Sequence, residues 1–255
     1  ANHSFFPAGF YVERFPSCVE TVLLINVPPE VEHALTQRGL KTFRDQDSSI
    51  NRKSAAAIEP LRYDAALAFV PIAKLSSREF PWRHYEKRFS QEAYLFLAPV
   101  AEAYDPLLLP ENLDHALLSS GWRRYLSWEA HDENGNLVAI PLYLLVKEHY
   151  DPVLHAQNLR KRKKPLDAYQ ILSSIPADRL MDSSIAVQAD VEMQRCLLDL
   201  EPFVPESQRL HLFFTSLNLL YHAVSTEPTV PEPYQNQAEF WQRIGNEDMA
   251  ARVMS

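Results

Sequence analysis

The sequence predicts an α/β domain over residues 1–149 and an all-α domain over residues 150–255. Short apolar runs alternate with helical patterns in the first part, which is typical of a mostly parallel sheet covered by helices. Two longer strand patterns close this part, and the Asn134-Gly135 dipeptide between them favours a tight hairpin. After His149 the strand patterns stop, and apolar residues recur at helical spacing.

Each strand of the first part is predicted from an apolar or β-favouring run that a proline, a glycine or a polar turn ends. The strands are expected at residues 22–27, 40–44, 63–70, 94–100, 122–131 and 137–147. Helices are expected between them, where apolar residues fall three and four positions apart. These helices cover residues 30–38, 51–61, 79–92 and 113–120, with Gly39 and Gly121 as caps.

Three local features extend this order into a resemblance. Tyr63-Asp64 opens a strand, a helix leads from it to the strand at 94–100, and Gly121-Trp122 follows the last helix before the closing hairpin. The order resembles the class I S-adenosylmethionine-dependent methyltransferase fold over residues 22–149. The resemblance implies a Rossmann-like sheet with a C-terminal antiparallel hairpin, and S-adenosylmethionine as the cofactor if the domain is active.

The chain departs from that family after the first strand. The family places a glycine-rich turn there, because only backbone without a Cβ passes closely under the amino-acid end of the cofactor. This chain has the sequence Asn26-Val27-Pro28-Pro29-Glu30, with no glycine and with two residues that lack a backbone N–H. The stretch before Tyr63 is also short by about one strand–helix unit, in keeping with a degenerate domain.

The resemblance implies cofactor contacts at the ends of three strands, if S-adenosylmethionine binds. They are Asn26 after the first strand, Asp45 and Asp47 after the second, and Pro71 after the third. An acid after the second strand would bind the cofactor ribose in this family. Aspartates in a polar loop are also ordinary turn residues, and both interpretations of Asp45 and Asp47 stay open.

Composition and motifs exclude several functions. A net charge of −8 disfavours nucleic acid as the main partner. No apolar run reaches the roughly 20 residues of a membrane span. The two cysteines, Cys18 and Cys196, form no paired motif, so we expect neither a metal site nor a disulfide framework. We expect a cytoplasmic location. No nucleophile elbow, phosphate loop or zinc motif is present, and we name no catalytic residue.

The helical part resembles tetratricopeptide repeats, in which small residues let paired helices approach and large ones fill the gaps. The matches to the repeat's small, large apolar, aromatic and glycine positions are Ala156, Leu159, Ala168, Leu172, Leu220, Ala223, Tyr234, Ala238, Trp241, Gly245, Ala250 and Met254. An insertion is expected near residues 201–205. A generic helical bundle, which shares much of this spacing, is the alternative.

The sequence therefore favours a non-catalytic methyltransferase-like module with a helical tail that binds a protein or peptide. The alternatives are an active S-adenosylmethionine-dependent methyltransferase and part of a glycosyltransferase that carries tetratricopeptide repeats. Because the chain opens at Ala1 and stops within a predicted helix, we expect it to be a fragment of a longer multidomain protein.

Overall fold

The computed structural model describes residues 5–45, 62–76, 80–101, 110–135 and 138–255. The chain divides into two compact units, an α/β unit over residues 1–150 and a helical unit over residues 151–255. Within the described ranges, no helix has both the length and the apolar character that crossing a bilayer requires. The predicted helix at 51–61 lies outside these ranges.

The strands of the described part form one six-stranded sheet in the order β2-β1-β3-β4-β6-β5. The strands are β1 (Thr21–Ile25), β2 (Lys41–Arg44), β3 (Tyr63–Pro71), β4 (Phe89–Val100), β5 (Trp122–Trp128) and β6 (Leu142–Lys147). Strands β2, β1, β3 and β4 are parallel, whereas β6 is antiparallel to both β4 and β5. The predicted parallel sheet with an antiparallel hairpin is confirmed, and its order is consistent with a Rossmann-like methyltransferase fold.

The helices of the α/β unit include two that the sequence did not predict, α1 and α3. In chain order the helices of its described ranges are α1 (Ala8–Arg14), α2 (Pro29–Gln37), α3 (Ile72–Ser76), α4 (Trp82–Arg88) and α5 (Pro110–Leu117). Gly39 follows α2 at a φ of 94°, and Gly121 precedes β5 at a φ of 84°. Both have the left-handed conformation that glycine favours.

Several predicted boundaries were wrong. The helix expected to reach residue 92 ends at Arg88, because Phe89 is fully buried and pairs with Tyr63 as the first residue of β4. The hairpin strands are shorter than expected, since β5 ends at Trp128 and β6 begins at Leu142. Pro141 precedes β6 and has no N–H to donate to a strand ladder.

The central strands carry the core of this unit. The side chains of Leu23, Ala66, Leu67, Leu95 and Phe96 are fully buried, although they alternate between the two faces of the sheet. Helices cover both faces of a parallel sheet, so its strands are apolar at nearly every position. This is the reason that β1, β3 and β4 were recognisable as continuous apolar runs.

The helical unit consists of α6 (Pro152–Lys161), α7 (Pro165–Ser173), α8 (Ser183–Leu200), α9 (Glu206–Thr226), α10 (Glu232–Arg243) and α11 (Glu247–Met254). A short 3₁₀ turn, Glu201–Phe203, separates α8 from α9. Because α8 and α9 have 18 and 21 residues, the extra length expected near 201–205 lies in the helices themselves.

Most residues at the predicted repeat positions are buried between these helices. The small ones are Ala156, Ala168, Ala223, Ala238 and Ala250, each at most 6% exposed. Met254, the last residue of α11, differs at 60% exposed. Burial of small residues is common to all close helix pairs, so the tetratricopeptide assignment stays a prediction.

Candidate functional site

The strand order places a ligand crevice at one point of the sheet. The chain passes from β1 outward to β2 and then returns to the other side of β1 to form β3. In sheets of this type the crevice opens at the carboxyl ends of the strands where the order reverses. Here that point lies between β1 and β3, where Ile25 pairs with Ala68.

Three of the four predicted cofactor residues lie at this carboxyl edge. Asn26 directly follows β1, Asp45 directly follows β2, and Pro71 is the last residue of β3. Asp47 lies outside the described residues. The alternation of strands and helices thus brings Asn26, Asp45 and Pro71 to a common edge.

Asn26 makes the turn that the family makes with glycine. Its φ is 52°, in the left-handed region that few residues other than glycine adopt. Asparagine is the commonest exception, because its short polar side chain tolerates this conformation. The chain therefore turns sharply after β1 without a glycine, and the exposed Asn26 side chain takes the place where the family has only hydrogen.

The beginning of α2 differs from an anion-binding helix terminus. Pro28 caps the helix and Pro29 is its first residue, so two backbone positions that would face a ligand have no N–H. Of the next donors, Val31 N–H and Glu32 N–H both bond to the Pro28 carbonyl, each at 3.1 Å. Glu30 and Glu32 add negative charge to the first turn. Glu32 is paired with Arg44, so this end of α2 differs from an anion site mainly in the backbone donors that its two prolines lack.

Asp45 is held by α4. Its Oδ1 lies 2.8 Å from Arg88 Nη1, and its Oδ2 accepts a hydrogen bond from the Tyr85 hydroxyl. The Asp45 N–H continues the strand ladder by donating to the Leu24 carbonyl at 2.9 Å. Asp45, which was predicted to bind the cofactor ribose, therefore uses both carboxylate oxygens to join the end of β2 to α4.

Arg88 is itself enclosed by this cluster. Its guanidinium carbon lies 5.4 Å from the centre of the Tyr63 ring. Burial acts to lower the pKa of Arg88, but the hydrogen bond and charge of Asp45, with a smaller contribution from Tyr63, raise that pKa above its ordinary value. The pair is a structural contact on the side of the sheet that carries α4.

The interior behind the crevice is apolar. One cluster of buried side chains continues from the end of β1 through the end of β3 into α3, and its members there are Ile25, Val70, Ile72 and Leu75. These residues position the carboxyl edge. They supply no acid, base or nucleophile.

A second cleft lies at the opposite end of the sheet, where β5 begins. Its volume is about 570 Å³, and its walls include Gly121, Arg124 and Glu148. Arg124 makes two 2.9 Å hydrogen bonds to the Asp114 carboxylate, so its charge is already neutralised. Gly121 is favoured here because its φ of 84° is one that side chains with a Cβ rarely adopt, whereas the nearby Glu86 carboxylate is the movable end of a flexible side chain. Among the motifs of the sequence, only Gly121-Trp122 pointed to this region.

The described residues contain no group of three metal-binding side chains. Cys196 is fully buried, and burial raises the pKa of its thiol to about 12, so the thiol stays protonated at neutral pH. Burial likewise raises the pKa of Tyr11 to about 12. These shifts come from enclosure in the protein core, and neither group has the position of a nucleophile in an open site.

No protein-family model and no curated protein matches the sequence. Among solved structures, the chain is similar to the glycopeptide N-methyltransferase MtfA in complex with sinefungin, at 10% identity and a TM-score of 0.33, over 57% of this chain and 96% of that one. It is also similar to a putative tRNA methyltransferase from Streptococcus pneumoniae, at 8% identity and a TM-score of 0.34, over 97% of both chains. Our assignment of the fold rests on the strand order and not on these distant likenesses.

Proposed function

We propose that the chain is a non-catalytic, methyltransferase-like module whose helical unit binds a protein or peptide partner. The observation that carries the proposal is the beginning of α2, with two prolines and two glutamates at the edge where the family binds its cofactor. S-adenosylmethionine presents a carboxylate and an ammonium at its amino-acid end, and a nucleotide sugar presents a diphosphate. The carboxylate and the diphosphate need free N–H donors at such a terminus, and the two prolines do not supply them.

The contacts of Asp45 support the same proposal. A ribose-binding acid directs acceptor sites at the two ribose hydroxyls, and a carboxylate has about four such sites in fixed directions. Asp45 already accepts from Arg88 and Tyr85. Release of this carboxylate would break its ion pair with the half-buried Arg88, which is costly.

Isothermal titration calorimetry with S-adenosylmethionine tests the proposal. We expect no saturable heat up to millimolar ligand. The Asp45→Asn variant separates the two roles of this residue, because it should lower the free energy of unfolding while leaving the calorimetric trace unchanged. Micromolar binding by the wild type would reject the non-catalytic assignment.

The active methyltransferase is the second candidate, and the left-handed backbone of Asn26 favours it. A sharp turn after β1 is what the family's glycine loop provides, and this chain retains that turn. If the turn serves cofactor binding, Asn26→Gly should tighten S-adenosylmethionine binding by removing the Cβ. If no ligand binds there, the calorimetric trace of Asn26→Gly should match that of the wild type.

The partner is proposed to be protein, because the chain carries a net charge of −8 and a phosphate backbone requires a basic surface. Stacked helix hairpins offer an extended surface for peptides.

A further inference from the structure

A small cavity of about 140 Å³ lies between α8 and α10 of the helical unit. Its walls are Gln194, Arg195 and Leu198 from α8, and Asn236, Glu239, Phe240 and Arg243 from α10. A water molecule occupies about 30 Å³ of the liquid, so the space fits one small polar group with a few carbon atoms. The cavity is too small for a nucleotide and large enough for one peptide unit or one amide side chain.

Two amide side chains line this cavity while being almost fully buried. Gln194 is 1% exposed and Asn236 is 8% exposed. Asn236 Nδ2 donates to Gln194 Oε1 at 3.3 Å. Among the described residues, neither side chain makes another hydrogen bond, so the Gln194 Nε2 donors and the Asn236 Oδ1 acceptor are left for a ligand.

The unused groups have a definite chemical complement. A ligand amide fits these groups, because its C=O can accept from a Gln194 Nε2 donor while its N–H donates to Asn236 Oδ1. Exchanging oxygen and nitrogen in both side chains reverses their mutual bond and still leaves N–H donors beside a C=O acceptor.

The charges around the cavity disfavour an anion. Arg195 Nη2 lies 2.8 Å from Glu232 Oε1, and Arg243 Nη2 lies 2.9 Å from Glu201 Oε2. Both cations are therefore already paired within the unit. Glu239 is exposed and has no ion-pair partner within the described residues. A neutral amide followed by a basic group fits this pattern, whereas a carboxylate would meet Glu239 and the Asn236 acceptor.

We propose that this cavity recognises an asparagine or glutamine side chain in an extended segment of a partner protein, with a neighbouring basic residue that pairs with Glu239. The inference rests on the proposed interaction role of the helical unit and specifies its ligand. Phe240, which is 3% exposed, and Leu198 would contact the methylene groups of the bound side chain.

Nuclear magnetic resonance of the full chain with capped peptides tests the proposal. The probe is acetyl-Ala-Asn-Lys-Ala-amide, and the matched probes replace its asparagine by aspartate or by leucine. We expect saturable shifts of the Gln194 and Asn236 side-chain amide signals with the asparagine peptide, and at least tenfold weaker binding of the other two.

Variants separate recognition from folding. Glu239→Gln changes an exposed side chain and should weaken the lysine-containing peptide severalfold without altering stability. Gln194→Met should abolish the response, and Gln235→Ala, an exposed neighbour on α10, should retain it. If Gln194→Met unfolds the unit, the Glu239→Gln result and the peptide series still decide the matter.

The contrary results are distinct. Equal binding of the asparagine and aspartate peptides, or amide signals that respond to no peptide, would overturn the amide site, and the cavity would then hold only water. If peptides shift other signals of the helical unit while those of Gln194 and Asn236 stay unmoved, the amide site fails and the interaction role stands. Calorimetry with S-adenosylmethionine tests the α/β unit independently of both.

Discussion

The interiors of the two units differ in chemistry. Of the eight buried polar or charged side chains in the described residues, only Ser120 belongs to the α/β unit and seven belong to the helical unit. The α/β unit packs aromatic and aliphatic side chains on both faces of its sheet. The helical unit places acids, amides and a histidine between its helices. Apolar packing stabilises the α/β unit, whereas the stability of the helical unit also depends on specific pairs of polar side chains.

The difference follows from the two kinds of element. A parallel strand is covered on both faces, so a polar residue at almost any position of it would lose water. A helix buries only a stripe, and the edges of that stripe reach partners on neighbouring helices. In the helical unit, Glu192 on α8 meets Arg160 on α6, and Asn236 on α10 meets Gln194 on α8.

The largest expected effect is in the apolar interior. Phe96→Ala removes a fully buried ring whose centroid lies 4.4 Å from that of Phe15. We expect the free energy of unfolding of the α/β unit to fall by about 3–5 kcal/mol, because the cavity cannot collapse between packed strands. Chemical denaturation followed by circular dichroism measures it. Phe96→Leu is the control with a smaller loss, and a loss below about 1 kcal/mol for Phe96→Ala would show that this core is loosely packed.

The next effect concerns the buried charge of the helical unit. Glu192 is 1% exposed, and its Oε1 lies 2.7 Å from Arg160 Nε without hydrogen-bond geometry. Glu192→Ala should cost about 3 kcal/mol, because Arg160 loses its close partner. The same denaturation experiment measures this loss.

The double variant Glu192→Leu with Arg160→Met sharpens this result. An apolar pair of similar volume often replaces a buried ion pair at no cost, so we expect most of the lost stability to return. If the double variant is less stable than Glu192→Ala, the ion pair is a net source of stability, and the contrast between the two interiors narrows.

A smaller effect is expected at the edge of the sheet. Asp45→Asn weakens the contacts with Arg88 and Tyr85, and we expect a loss of about 1–2 kcal/mol because the group is only partly enclosed. Glu32→Gln removes an ion pair with the exposed Arg44 and should cost much less, because solvent screens that pair. Thermal unfolding compares the two variants. Equal losses would mean that Asp45 is an ordinary surface residue, contrary to its proposed structural role.

The smallest effect is a pH dependence in the helical unit. Burial raises the pKa of Asp190, and the 2.6 Å hydrogen bond with His222 offsets only part of that rise. A folded-state pKa above the unfolded one stabilises the protein below the unfolded pKa, and this contribution is lost as pH rises through the folded pKa. The stability of wild type relative to Asp190→Asn should therefore decrease from acidic to neutral pH.

Denaturation of both proteins at several pH values between about 3.5 and 7 measures this difference, the range being set by ordinary aspartate titration. Asp178→Asn provides the reference for replacing an exposed aspartate of the same unit. A difference that increases toward neutral pH would mean that His222 outweighs burial.

The sequence predicted the sheet better than the helices that cover it. A continuous apolar run such as the one around Leu23 and Leu24 indicates a buried strand from the sequence alone. The helices α1 and α3 were missed, since 7 and 5 residues are too few to establish a helical period. The start of β4 was missed because its pairing with Tyr63 is a contact distant in sequence.

For the candidate site, the sequence placed Asn26, Asp45 and Pro71 at one edge but did not indicate what Asp45 contacts. Its partners Tyr85 and Arg88 lie on a helix that follows a different strand. The amide pair of Gln194 and Asn236 was likewise invisible, since two amides on separate helices form no motif. Local patterns report which face of an element is buried, and they carry no information on which polar side chains meet.

By itself, the sequence determined the α/β class, the parallel sheet with its closing hairpin, the change to helices after His149 and the absence of glycine after β1. These features depend on local periodicity and on the dihedral range of single residues. Only the tertiary structure decided that Asn26 makes the turn in place of glycine, that Asp45 belongs to Arg88 and Tyr85, and that Gln194 and Asn236 share a cavity. Those outcomes depend on the packing of elements distant in the chain, where geometry selects one partner among many of the same chemistry.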